Sequence, residues 1–370
     1  FSYSVNTVGG CGTIFLIGTV AISSAGITPT FDPISPLCEG TSNSPLPTVS
    51  INGISGAWLP DFDNTTTQTY LFIPNLGQCA LSTNLTVIIT PKPNLTYTVT
   101  NSICSGSSTD IILNSDIPGT TYSWSATTSN ITGSYVTSGD LSNINQIATL
   151  TDGENIGTIT MVIIPRANGC DGPSRTILIT VYPIPEVESV TVADDSVCSA
   201  TTAANNVHVD IVGNISGITY TWTAITNGVT VVGGTTSGTI TASSTTATID
   251  LQVITSNPLA PGTIYFEVST VRNGCVGNTL QSAVVTVNPN PGVAISSPDK
   301  TICSGDPTDL MIDVSPLIAG TEIEWEVLTV VNVSGANAGS GIAPQPINDV
   351  LTSTQGGYVI YRVRTSLGEC

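Results

Sequence analysis

Each of the four tryptophans in this chain lies between two cysteines, and this order recurs four times along 370 residues. The sets are Cys38, Trp58, Cys79; Cys104, Trp124, Cys170; Cys198, Trp222, Cys275; and Cys303, Trp325, Cys370. The step in sequence number from first cysteine to tryptophan is 20, 20, 24 and 22, whereas the step from tryptophan to second cysteine varies freely. Counted from Cys11, the step from the preceding cysteine to the start of each set is 27, 25, 28 and 28. Constant flanks around a variable middle predict a row of small modules.

The composition excludes several classes of partner. Seven basic residues face 26 acidic ones, which gives a net charge of −19. A surface that neutralises phosphates needs clustered Lys and Arg, so we expect no nucleic-acid binding and no attraction to anionic membranes. The chain also has no run of 18 or more apolar residues, so we expect no direct membrane insertion. Thr, Ser, Asn, Gly, Val and Ile dominate, which is typical of strands and turns and predicts an all-β protein.

The nine cysteines predict disulfides and an oxidising compartment. Zinc is the competing interpretation, but no CxxC pair occurs and His208 is the single histidine. We therefore expect an extracellular or cell-surface protein whose targeting signals lie outside this sequence.

Three Pro-x-Pro steps divide the chain, at Pro91 and Pro93, Pro183 and Pro185, and Pro289 and Pro291. Proline cannot continue a strand ladder and makes a stiff, extended linker. We predict the last strands of a preceding module over 1–25, a short module over 26–93, full modules over 94–185 and 186–291, and a module lacking its last strand over 292–370. An alternative for this last module is that it borrows the strand from a neighbouring molecule.

The strand pattern within each module predicts an immunoglobulin-like sandwich. Residues nine and seven before the second cysteine are apolar, as in Phe266 and Val268, and this period of two indicates one buried face. Asn273-Gly274 before Cys275 is a hairpin signal. About seven short strands around one tryptophan are typical of that fold. We predict tandem sandwich modules in an extended rod, with all four tryptophans in their cores.

The spacing leaves two pairing schemes open for the cysteines. We predict bonds within modules, namely Cys38–Cys79, Cys104–Cys170, Cys198–Cys275 and Cys303–Cys370, with Cys11 bonded to a cysteine upstream. An immunoglobulin topology argues against this scheme, because the two turns that carry the cysteines lie at opposite ends of the sandwich and bridged Cα atoms must lie within about 7 Å. The near-constant step also permits Cys11–Cys38 and Cys79–Cys104.

Short motifs recur in the same order along the chain. They are Ile103-Cys104-Ser105-Gly106, Ile302-Cys303-Ser304-Gly305, Tyr122-Ser123-Trp124, Tyr220-Thr221-Trp222, Asn168-Gly169-Cys170 and Asn273-Gly274-Cys275. Through them essentially the whole chain resembles the immunoglobulin-like and PKD-like tandem repeats of giant Bacteroidota cell-surface proteins. The stretch from Ile27 through Trp58 to Ala80 resembles a shorter repeat of the same proteins. The resemblance implies export by the type IX system, a role in an adhesin, gliding-motility filament or stalk, and no catalytic residues.

The residues themselves also argue against an enzyme. A Ser-His-Asp or Cys-His catalyst needs a histidine, and His208 alternates with apolar residues as a solvent-facing strand residue does. Glu322, Glu324 and Glu326 alternate along the Trp325 strand and are expected to form its solvated face. The chain has one weak candidate cofactor, calcium, held by Asp61, Asp63 and Asn64 or by Asp194 and Asp195.

Two functions remain from the sequence. One is a stalk or filament of a surface adhesin, whose partners are the neighbouring modules of the same long chain and further copies in a fibre. The other is a set of carbohydrate-binding modules in which loop aromatics such as Tyr135 stack on surface glycans.

Overall fold

The computed structural model of the protein describes residues 2–5, 14–17, 26–132, 136–199, 206–295 and 299–370. All regular secondary structure in these ranges is β-strand. Within these ranges, no helix of the length and apolarity needed to span a membrane was found. We call residues 26–93, 94–185, 186–291 and 292–370 modules 1 to 4.

The strands are numbered in chain order. Before module 1 lie β1 (Ser2–Val5) and β2 (Ile14–Ile17), which pair antiparallel. Module 1 contains β3 (Leu37–Cys38), β4 (Gly56–Leu59), β5 (Gln68–Pro74), β6 (Thr83–Val87) and β7 (Ile89–Thr90). Module 2 contains β8 (Leu95–Thr98), β9 (Ser102–Cys104), β10 (Ser107–Ser108), β11 (Ile111–Ser115), β12 (Thr121–Ser129), β13 (Ile131–Thr132), β14 (Ser138–Gly139), β15 (Asn143–Ile144), β16 (Ile147–Leu150), β17 (Gly157–Ala167), β18 (Cys170–Asp171) and β19 (Arg175–Tyr182).

The other two modules follow. Module 3 contains β20 (Val187–Val192), β21 (Ser196–Cys198), β22 (Asn206–Gly213), β23 (Thr219–Asn227), β24 (Val229–Val231), β25 (Ser237–Thr241), β26 (Thr246–Thr255), β27 (Gly262–Arg272), β28 (Cys275–Gln281) and β29 (Val285–Asn288). Module 4 contains β30 (Ala294–Ile295), β31 (Leu310–Asp313), β32 (Glu322–Val331), β33 (Gly339–Ile342), β34 (Gln345–Ile347) and β35 (Tyr358–Ser366).

Module 3 shows the architecture most fully. One sheet has the order β20-β22-β26-β24, and the other has the order β21-β29-β27-β23-β25 with β28 also paired to β27. Alternate residues of β27 from Gly262 to Thr270 are buried, which is the period-two pattern of a strand with one face in a core. Apolar residues of both sheets meet in one cluster around Tyr220, Trp222 and Phe266. The predicted all-β chain of tandem immunoglobulin-like sandwich modules is confirmed.

Module 2 follows the same plan, with a sheet of order β14-β12-β17-β19-β9 opposite the smaller sheets β15-β11-β8 and β10-β16-β13. Modules 1 and 4 are smaller: β4-β5-β6 with β3-β7, and β30-β31-β34 with β33-β32-β35. Each of the four core clusters draws its residues from one module only. Hydrophobic burial therefore stabilises each module separately, and the contacts between modules must come from other groups.

The tryptophans occupy the cores unequally. Trp58, Trp124 and Trp222 are at most 9 % exposed, whereas Trp325 is only partly buried against a core of four buried residues. The prediction that all four are buried is thus wrong for Trp325. Opposite the tryptophans of modules 2, 3 and 4 lie Gly139, Gly238 and Gly339 on the neighbouring strand. A Cβ atom at any of these glycines would lie too close to the indole ring. Each of these tryptophans therefore requires glycine at the facing position of the neighbouring strand.

Candidate functional site: the disulfide-bridged junctions

Three disulfides join the modules to each other. Cys38 is bonded to Cys170, Cys104 to Cys275 and Cys198 to Cys370, each with Cα atoms 5.6 Å apart. In every case the first cysteine of one module is bonded to the second cysteine of the next module. The junctions between modules 1 and 2, 2 and 3, and 3 and 4 are therefore each crossed by one covalent bridge.

The first cysteine of a module lies at the end that faces the following module. The short strand that carries it pairs in parallel with the module's last strand, which places Cys38 opposite Thr90, Cys104 opposite Tyr182 and Cys198 opposite Asn288. Each of those partners immediately precedes the first proline of a Pro-x-Pro linker. Parallel pairing thus carries the cysteine to the start of the linker.

The second cysteine lies at the opposite end of its module. In module 3 a tight turn at Asn273 and Gly274, both with positive φ, connects β27 to β28, which begins at Cys275. Both residue types tolerate this left-handed backbone, so the Asn-Gly pair predicted the hairpin. The turn and Cys275 project back towards the linker that enters the module.

Specific contacts seat this hairpin on the incoming linker. The hydroxyl of Thr270 donates to the carbonyl oxygen of Pro185 (2.9 Å). Gly277 lies so close to the same oxygen that a Cβ atom at this position would overlap it. Asn278 exchanges two hydrogen bonds with the backbone of Val187, at 2.7 and 2.9 Å. In module 4, Thr365 Oγ1 donates in the same way to Pro291 O (3.2 Å). The second cysteine is thereby held close to the first cysteine of the preceding module.

Both pairing schemes considered from the sequence are wrong. Bonds within modules fail because the two cysteines of a module lie at its opposite ends. Cys79–Cys104 fails because the direction is reversed: Cys79 lies beside Ile27, where module 1 begins, and Cys104 lies where module 2 ends. Cys79 and Cys303 are free and exposed in the described structure. Cys11 lies outside the described residues.

His208 takes part in a small charged group on the surface of module 3. Its Nδ1 lies 2.6 Å from Asp250 Oδ1 and its Nε2 lies 3.3 Å from Asp210 Oδ1. The hydrogen bond to Asp250 is the main cause that raises the pKa of His208, with further attraction from both carboxylates. The site is exposed on β22, as expected of a strand residue that faces solvent.

Among the candidate calcium residues, Asp63 and Asp195 take part in hydrogen bonds within module 1 and module 3, respectively. Asp63 Oδ1 accepts hydrogen bonds from the amide and hydroxyl of Thr65, and its Oδ2 accepts one from Thr66. These bonds lower the pKa of Asp63 and use its oxygens within a local turn. Asp195 contributes its backbone carbonyl to Thr286 of the same module. The described residues contain no cluster of three or more His, Cys, Asp or Glu side chains placed to bind a metal ion. Asp61 and Asp194 have no described carboxylate contacts.

The glutamates predicted to form the solvated face of β32 differ in their exposure. Glu322 and Glu324 are exposed, whereas Glu326 is half-buried and its Oε1 lies 2.5 Å from Arg362 Nε across the pair of β32 and β35. On β35, Tyr361 donates to Asp349 Oδ2 (2.5 Å), and burial together with this bond raises the pKa of Tyr361 well above its usual range. Tyr135 lies outside the described residues.

A groove of about 800 Å³ lies along β35 in module 4 and is lined by Cys303, Leu310, Tyr358 and Ile360 among others. In module 2 the corresponding strand β17 pairs along this edge with the last strand, β19. The groove therefore has the position of a last strand in a complete module. The prediction that module 4 takes a strand from a neighbour remains a prediction.

The comparisons with known proteins agree with this architecture. The model of a PKD-like domain matches residues 101–185 and again residues 195–291, within modules 2 and 3. Modules 2 and 3 are thus each similar to a PKD-like domain. No curated protein matches its sequence.

Among solved structures, the human desmocollin-1 ectodomain covers 90 % of this chain and 80 % of its own length at 11 % identity, with a TM-score of 0.29. Sidekick-1 immunoglobulin domains 1–5 cover 90 % and 79 % at 11 % identity, with a TM-score of 0.26. TM-scores of this size do not establish a common arrangement of the modules.

Proposed function

We propose that this chain is a structural repeat region, a stalk or filament of a large extracellular bacterial adhesin. The observation that carries the proposal is the covalent bridge at each of the three junctions. A module with its own core needs no such bridge to fold, because its buried apolar residues come from within it. The bridges act between modules. They therefore support a function that depends on the spacing of the modules.

Compartment and surface chemistry support the same role. Three disulfides with long sequence separations indicate an oxidising environment. The net charge of −19 keeps such a chain soluble and away from anionic lipid. Attachment to a cell surface, export by the type IX system and a role in gliding motility are the finer parts of this proposal.

The alternative of carbohydrate-binding modules has less support. Among the aromatic residues described from residue 26 onwards, the exposed side chains are Tyr97 and Tyr358, which belong to modules 2 and 4. Stacking on a sugar needs exposed aromatic faces held close together. Surface glycans therefore stay a secondary candidate partner.

Small-angle scattering of the oxidised protein tests the proposal. A compact protein of 370 residues has a radius of gyration of about 21 Å. Four modules in a row, each about as long as an eleven-residue strand, would give about 40 Å. We expect the larger value. A radius near the compact one would exclude a stalk.

A further inference from the structure

The three disulfides enclose overlapping stretches of the chain. The Cys38–Cys170 bond has a sequence separation of 132, Cys104–Cys275 one of 171, and Cys198–Cys370 one of 172. The first and the third do not overlap, because the segment from Cys170 to Cys198 lies between them. The second overlaps both of the others. The two bonds that do not overlap limit how far the chain can be pulled, because a pulled polymer extends only to the length of its shortest covalent path.

The shortest covalent path from Cys38 to Cys370 avoids most of the backbone. It crosses from Cys38 to Cys170 through one disulfide, follows the backbone to Cys198, and crosses to Cys370 through another. Of all the backbone between Cys38 and Cys370, this path contains only the short segment from Cys170 to Cys198.

We propose that the Cys38–Cys170 and Cys198–Cys370 disulfides make the part of this chain between Cys38 and Cys370 an inextensible tether, whose greatest length is set by covalent bonds and does not depend on whether its modules stay folded. The inference rests on the proposed role as a stalk, since a length limit matters only to a chain under tension. At 3.3–3.6 Å per residue, the segment of about 28 residues reaches about 100 Å, whereas the whole stretch of roughly 330 residues reaches about 1,100 Å.

The segment from Cys170 to Cys198 is already extended in the folded protein. It includes β19 along module 2, the linker from Pro183 to Pro185, and β20 along module 3. A strand rises about 3.3 Å per residue, close to the limit for any chain. The path therefore has little slack to release when the modules unfold.

The segments from tryptophan to second cysteine lie off the path in modules 2 and 3. They carry much of each core, including Met161 in module 2 and Phe266 in module 3. β19 and β20 on the path also carry core residues, such as Ile179 and Val190, but loss of a core does not lengthen the tether because the bonded cysteines fix the length of the path. Variation in the length of these segments is also without effect on the reach of the chain.

Single-molecule force spectroscopy tests the inference. The chain is held between marker domains at its two ends, with Cys11, Cys79 and Cys303 replaced by serine to prevent adventitious bonds. We expect the part between Cys38 and Cys370 to stop at about 100 Å when oxidised and to reach about 1,100 Å after reduction, roughly an elevenfold change. The chain before Cys38 extends equally in both samples. Full extension of the oxidised chain would overturn the inference.

Two double variants sharpen the test. Cys198→Ser with Cys370→Ser leaves a shortest path that runs along the backbone from Cys38 to Cys104 and from Cys275 to Cys370. These two segments together reach about sixfold further than the original path. Cys104→Ser with Cys275→Ser also removes one junction bond, yet the original path remains, so we expect no change in extension.

An equal lengthening in the two double variants would contradict the interleaved pairing. Contour length depends only on covalent connectivity, so the comparison holds even if a variant folds poorly, and mass spectrometry of the same samples reports which bonds are present. Scattering separates this inference from the stalk itself. A rod in scattering that extends fully under force would contradict the tether but not the stalk. A compact particle that stops at about 100 Å under force would contradict the stalk but not the covalent limit on its length.

Discussion

Two kinds of segment in this molecule differ sharply in how much their length can change. From the second cysteine of one module to the first of the next, counted from Cys79, the steps in sequence number are 25, 28 and 28. From tryptophan to second cysteine within a module, the steps are 21, 46, 53 and 45. The first kind crosses a junction, and the second lies within one module.

The difference shows which part of the chain has its length restricted by the geometry of the disulfides. The crossing segment runs down the last strand of one module, through the linker and along the first strand of the next. Each of these segments has at least one end bonded to another module, and the segment from Cys170 to Cys198 has both ends bonded. A disulfide requires Cα atoms within about 7 Å. A changed length displaces a bonded cysteine. A change within a module only moves a loop, which adds little entropy.

Two deletions of equal length should differ in their effect on the disulfides. A deletion in the linker should prevent a disulfide from forming, whereas a deletion within a module should not. Deleting Ile184 and Pro185 shortens the linker by about 7 Å, so we expect Cys104–Cys275 not to form. Losing a bridge with a sequence separation of 171 removes about 5 kcal/mol in the chain-entropy model. Non-reducing peptide mapping and urea unfolding measure the two effects.

The matched deletion removes Gly234 and Thr235 from the exposed loop after β24. Here we expect every bridge to form and a change in the free energy of unfolding under about 1 kcal/mol. Equal losses in the two deletions would mean that the linker length is not what sets the bridge.

Removing a core tryptophan should destabilise its module without preventing the disulfide at the junction from forming. Trp222→Ala opens a cavity in the largest core and should lower the free energy of unfolding of module 3 by about 3–5 kcal/mol. Trp325→Ala should have a smaller effect, because that side chain is only partly buried. Cys104–Cys275 should still form in oxidised Trp222→Ala. Absence of that bridge would show that junction and core are coupled.

The hydrogen bond that seats the hairpin should have a moderate effect. Thr270→Val keeps the shape of the side chain but leaves the carbonyl oxygen of Pro185 without its donor. We expect a loss of about 1–3 kcal/mol, because Thr270 is buried. Thr279→Val, at an exposed position on β28, is the control and should be near neutral. Thermal unfolding of the oxidised proteins distinguishes the two variants.

The smallest expected effect is at His208, on the surface of module 3. Its pKa is raised in the folded state by Asp250 and Asp210, so its stabilising contribution is present below the unfolded pKa and is lost as the pH rises through the folded pKa. Because the group is exposed, we expect less than about 1 kcal/mol. The stability difference between the native chain and His208→Asn should shrink as the pH rises above 6.5, the ordinary pKa of histidine. A difference that grows with pH would contradict the assigned contacts.

The strand class, the repeat and most of the cores could be predicted from the sequence. Alternating residues such as Phe266 and Val268 predicted strands with one buried face, and the Asn273-Gly274 turn predicted its hairpin, because these signals are local. Trp325 shows the limit of local signals. Its motif matches the other three, but its burial depends on how much core packs around it, and module 4 has few buried residues.

The choice of disulfide partners depends on the tertiary structure. The spacing of cysteines is the same whether Cys104 bonds within its module, backwards to Cys79 or forwards to Cys275. The choice follows from the parallel pairing of β9 with β19, which puts Cys104 at the outgoing end of module 2, and from the hairpin that puts Cys275 at the incoming end of module 3. Disulfide partners are selected by distance in space, and parallel strand pairing between residues far apart in the chain leaves no mark on their spacing.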